Sequence, residues 1–172
     1  FLNNSAAVSI TTSSGFGIDS SANSTLGAIN VSYSTAGISI TDNNASTISG
    51  AGFGIRAFNN GSSPSGNITI TSNGQVNGIG PGQPISGGRT GISAQNQAAG
   101  GTISITANGA SGDNRGIFAN ASGGATDITT NGAISGGSTG ITSLGAVGIS
   151  NTIIANGSVT GTSGYGILAS TG

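Results

Sequence analysis

The stretch from Gly100 to Ile141 constrains this chain more than any other: GGTISITANGASGDNRGIFANASGGATDITTNGAISGGSTGI. One phrase is stated in it nearly twice. The phrase is a short Ile alternation, an Asn-Gly step, a second apolar position followed by Gly, a Gly-Ile pair, then a small residue. Self-similarity of this kind marks a repeat architecture, in which no unit buries its apolar face alone.

Gly-Ile pairs recur at Gly17-Ile18, Gly54-Ile55, Gly91-Ile92, Gly116-Ile117, Gly140-Ile141 and Gly166-Ile167, with steps of 37, 37, 25, 24 and 26 residues. The first step contains an extra Gly37-Ile38, which leaves one long repeat or two short ones. Two residues after each Ile stand Ser20, Ala57, Ala94, Ala119, Ser143 and Ala169, on the same face of a strand. The residues between, Asp19, Arg56, Ser93, Phe118, Thr142 and Leu168, share no chemistry, as on an outward face.

A second strand is expected at Ile29/Val31, Ile68/Ile70, Ile103/Ile105, Thr126/Ile128 and Asn151/Ile153. Asn-Gly turns follow at 73–74, 108–109, 131–132 and 156–157, where both residues tolerate positive φ. Asn108, Asn131 and Asn156 are expected at equivalent corners, their amides bonding along the repeat axis. A third short strand carries Val76 or Ile85, Ile134 and Val159, each with Gly two residues on. Asn-Gly between apolar alternations is also a hairpin signal, so an antiparallel sandwich is the structural rival. A sandwich has no reason to repeat at a near-constant step.

Composition agrees with strands. Ile occurs 22 times and Leu 4 times, and β-branched residues favour strands over helices. The expected fold is all-β: a right-handed parallel β-helix of about 6–7 rungs, each of roughly 24 residues and three short strands, its hand set by the crossover preference. One such segment is expected over 1–172, less regular over 1–53 and regular over 54–172. No targeting segment is visible, and the chain begins and ends inside the repeat, as a piece of something longer does. No apolar run is long enough for a membrane-spanning helix.

The GI-x-A and Asn-Gly-x-Ile/Val-x-Gly steps resemble passenger domains of bacterial autotransporters, clearly over 54–170 and loosely over 8–53. Haemagglutinin-like secreted adhesins and large surface-layer or filament proteins look similar. The resemblance implies a Gram-negative surface protein with a β-helical stalk, anchored through an outer-membrane barrel that this chain does not contain.

The chain has three Arg, four Asp, no His, no Cys and a net charge of −1. There is no basic footprint for nucleic acid, and no Ser-His or Cys-His pair for nucleophilic catalysis. A glycan-cleaving β-helix would need converging carboxylates, yet Asp19, Asp42, Asp113 and Asp127 share no slot and read as solvated or turn-capping groups. No cofactor or metal is expected. Ice binding would need a flat, regular Thr ladder, and Thr69, Thr71, Thr102 and Thr106 are not expected to align into one.

What remains is recognition or structure. Arg56, Arg89 and Arg115 fall near the Gly-Ile corner of successive repeats, with Phe118 beside them. They form a candidate shallow patch for a carboxylate or sulfate on a glycan; a local Arg115–Asp113 pair is the plainer alternative. Asn77 to Ile85 carries two of the three Pro, and Val76 and Ile85 compete for one slot. About nine residues are therefore extra, and a loop bearing Asn77 and Gln83 is expected near the Arg89 corner. The expected role is a non-enzymatic adhesion or stalk segment at a cell surface, with a glycan or protein receptor as partner. The alternative is a self-associating element of an extracellular filament or surface layer, with a glycan-active β-helix enzyme ranked below both.

Overall fold

The structure is a computed structural model, and it describes residues 8–12, 29–33, 37–43, 45, 47–50, 52–60, 66–78 and 89–172. Among these residues there is no helix. The strands are β1 (Val8–Thr12), β2 (Ile29–Tyr33), β3 (Ile38–Asp42), β4 (Ile48–Ser49), β5 (Phe53–Asn59), β6 (Ile68–Gly78), β7 (Thr90–Asn96), β8 (Ile103–Gly112), β9 (Arg115–Ala121), β10 (Thr126–Thr130), β11 (Ile134–Gly136), β12 (Thr139–Gly145), β13 (Asn151–Ala155), β14 (Val159–Gly161) and β15 (Ile167–Thr171).

They form two sheets. One has six strands in the order β2-β5-β7-β9-β12-β15. The other has nine, along β1-β3-β6-β8-β10-β13, with β4, β11 and β14 pairing beside that path. Every pairing is parallel. Parallel neighbours cannot be joined by a tight turn, so the chain alternates between the sheets and each strand meets its counterpart from the next repeat. Among the described strands this excludes the antiparallel sandwich.

The Gly-Ile isoleucines stack as expected. Ile55, Ile92, Ile117, Ile141 and Ile167 are successive register partners in the six-stranded sheet. The partner below Ile55 is Ile29, which had been expected in the second-strand slot. That slot is filled instead by Ile38 and Ile40, opposite Ile68 and Ile70. So Gly37-Ile38 is no Gly-Ile pair of the first kind, and Ile29 to Ile55 is one repeat. Ile18 lies outside the described residues.

Alternation puts one face of each sheet into a shared core. Ile55, Ile92, Ile117 and Ile141 are fully buried, with Ile68, Ile70, Ile103 and Ile105 facing them from the other sheet. Burying each such side chain contributes about 1.5–3 kcal/mol. Towards β13 the core turns polar. Thr126 takes an Ile slot, meets the Ser143 hydroxyl and donates to Asn151 Oδ1 at 2.8 Å.

The third strand is a column of Ile48, Val76, Ala110, Ile134 and Val159. In β6 and β8 it is continuous with the second strand, so three separate short strands per repeat hold only where β10/β11 and β13/β14 are divided. The glycines follow from this packing. A Cβ on Gly116 would lie 2.5 Å from Ile134 Cγ2 and 2.8 Å from the Gly140 oxygen. The described glycines of the Asn-Gly steps do not take positive φ, the described glycine with that conformation being Gly148. A side chain on Gly132 would instead strike the Asn108 carbonyl of the neighbouring repeat.

Candidate binding face

The outward residues of the six-stranded sheet form a column of Arg56, Ser93, Phe118, Thr142 and Leu168. The Arg56 guanidinium lies 5.1 Å from the Phe58 ring centroid and 5.8 Å from that of Phe53. Arg115, at the start of β9, lies 4.8 Å over Phe118. Such contacts are worth about 0.5–1 kcal/mol where water reaches them. Burial lowers the Arg56 pKa from the usual arginine range, without threatening its charge at neutral pH.

Ser93 and Thr142, on either side of Phe118 in this column, are buried despite facing outward, at 1% and 3% exposure. Their register partners in the column are the larger Arg56, Phe118 and Leu168. Neither hydroxyl has a hydrogen-bond partner, a deficit that ordinarily costs about 1–3 kcal/mol per group.

Arg89 does not join the two stacked arginines. Its Nη1 bonds Asp113 Oδ2 at 2.6 Å, so the expected Arg115–Asp113 pair is replaced. The backbone explains the exchange: the Arg89 carbonyl accepts from the N–H groups of Asn114 and Arg115, which brings Asp113 beside Arg89. The structure therefore brings together Arg56, Arg115 and Phe118 on one sheet. It adds Phe53, Phe58, Ser93 and Thr142, which required the register to find.

Asn77 belongs to β6 and not to a loop. Its Oδ1 accepts from Ser111 Oγ at 2.7 Å and from Gln75 Nε2 at 3.1 Å. Gln83 and Ile85 lie outside the described residues. Val76 holds the contested slot.

Asp42, expected in solvent, is 1% exposed at the end of β3 and accepts from Ser72 Oγ at 3.3 Å. Asp113 and Asp127 are exposed, and Asp19 lies outside the described residues. Among the described residues no cluster of acids could hold a metal ion. Tyr165 is 64% exposed.

The threonine expectation is overturned in part. Thr71 and Thr106 are register partners, and their column runs through Thr41 and Thr129 to Ile154, with Thr11 paired below by its backbone. Two residues earlier on each strand, Ser39, Thr69, Ser104, Asp127 and Thr152 form a second column. Thr102 precedes β8 and stands outside both. The signal in sequence was the triplet of a hydroxyl residue, Ile and Thr, at 39–41, 69–71 and 104–106.

No family model, curated protein or solved structure matches this chain.

Proposed function

We propose that this chain is a right-handed parallel β-helical segment that works as a non-enzymatic rod at a bacterial surface. The reading is carried by the unbroken column Ile29–Ile55–Ile92–Ile117–Ile141–Ile167. A column of this kind lets a protein gain length by adding repeats while its cross-section stays fixed, at about 4.8 Å per rung. The resemblance to autotransporter passengers supports the surface location. The stacked Arg56 and Arg115, with their phenylalanines, fit a carboxylate or sulfate on a glycan chain, because flat rings and guanidinium groups together suit an anionic sugar.

Inserting five tandem copies of residues 117–140 tests the rod. Small-angle X-ray scattering should show a length increase of about 24 Å at constant cross-sectional radius, and a widened particle would overturn the reading. Location is tested separately: protease added to intact producing cells should remove the chain, and full protection would place it inside. A second reading, lateral or end-on self-association, draws on the exposed Ile154, Tyr165, Ile167 and Leu168 of the last repeat. A sedimentation coefficient that rises with concentration would favour it.

A further inference from the structure

The outward face of the nine-stranded sheet carries two parallel ranks of hydroxyls that the reading above does not use. One is Thr41–Thr71–Thr106–Thr129, the other Ser39–Thr69–Ser104–Asp127–Thr152. Thr69, Ser104 and Thr152 are exposed, and Thr41, Thr71, Thr106 and Thr129 half-buried. We propose that this face binds ice.

Spacing carries the argument. Parallel register puts successive hydroxyls of a rank about 4.8 Å apart. A tetrahedral water lattice with oxygen–oxygen bonds of about 2.8 Å has its second neighbours about 4.5 Å apart. One water bonded to two successive hydroxyls would therefore sit at close to the tetrahedral angle, as an oxygen in ice does. The second rank is offset by two residues of the same strands, about 6.6 Å, so the array is periodic in two directions.

The side chains suit that task. Each hydroxyl both donates and accepts, as a lattice water requires. A β-branched Thr has few χ1 choices, so the array is ordered before water arrives. Each Thr also sets a methyl beside its hydroxyl, which water must surround instead of bonding. Side-chain hydrogen bonds of this sheet join residues outside the two ranks: the Asn108–Asn131–Asn156 column, Thr126–Asn151, Ser72–Asp42 and Asn77 with Gln75 and Ser111.

Charge complementarity points the same way. Ice is neutral, and a fixed charge orders water radially around itself, against a lattice. Arg56 and Arg115 belong to the six-stranded sheet, and Arg89 to the corner before β7. Among the described residues the charge on the hydroxyl face is Asp127, which interrupts the second rank between Ser104 and Thr152. This inference is independent of the surface location and of the glycan patch.

The test measures thermal hysteresis and ice recrystallisation by the purified chain. The wild type should hold ice growth below the melting point and keep crystals small. The double variant Thr71→Lys/Thr106→Lys should lose at least tenfold of that activity with an unchanged thermal melting curve. Ser122→Lys, exposed and off the face, should leave it intact. Asp127→Thr completes the second rank and should raise activity, so the proposal stays testable even if the lysine variant unfolds. Three results would each overturn the proposal: no effect on ice at millimolar wild type, full activity in a folded double variant, or no gain from Asp127→Thr. Retention on microcrystalline cellulose without any effect on ice would assign the face to a crystalline glycan and equally overturn it.

Discussion

The side-chain amide of Asn131 donates to Oδ1 of Asn108 at 3.4 Å, from one repeat to the next. Asn156 does the same to Asn131 at 3.1 Å, and Asn108 ends the run on the Asn73 carbonyl at 3.0 Å. Each internal amide accepts on one side and donates on the other. An acid of the same shape cannot do both.

Asn131→Ala should therefore cost about 1 kcal/mol, since two exposed bonds are lost at the low end of their usual worth. Asn131→Asp should cost more at neutral pH, because a carboxylate would face the Asn108 oxygen. Urea denaturation of the three proteins checks the order. Equal stability would mean the column contributes nothing.

Ile117→Ala should destabilise by about 2–5 kcal/mol, because Ile117 is sealed between Ile92 and Ile141. Ile167 occupies the same column but is 44% exposed. Ile167→Ala should cost well under half as much in the same denaturation experiment.

Gly116→Ala should cost about 1–3 kcal/mol by overpacking, since its new methyl would meet Ile134 Cγ2 and the Gly140 carbonyl. Ile134→Ala makes room for part of that methyl. The double variant should then lose less than the sum of the two single losses, and strict additivity would show that the backbone contact dominates.

Gly78 and Thr90 are close in space although twelve positions apart in number: a side chain on Gly78 would strike the Thr90 carbonyl. Gly112 stands in the same relation to Arg115, and Gly136 to Thr139. Two residues bridge each of those pairs. Deleting 79–87 would leave Gly88 and Arg89 to bridge the first pair in the same way. The variant should keep its β circular dichroism and its melting temperature within a few degrees. Unfolding would show that the deleted segment packs into the core.

The sequence by itself determined the local facts. Alternation fixed which residues of one strand share a face, and Ile-rich composition fixed the strand class. The recurring Gly-Ile phrase picked out Ile55, Ile92, Ile117, Ile141 and Ile167 as equivalent positions, because a strand's pleat is set by its own residues. The Asn108–Asn131–Asn156 column was legible for the same reason.

Whatever depends on the partner strand was decided by tertiary structure. Repeats here differ in length, so counting residues cannot say which side chain on one strand lies beside which on the next. That is why Ile29 and Ile38 changed slots, and why Arg89 found Asp113 before Arg115 could. It is also why Ser93 proved buried between Arg56 and Phe118. The threonine ranks show the reason most directly: Thr71 and Thr106 are 35 positions apart in number, and only hydrogen-bonded register puts their hydroxyls side by side.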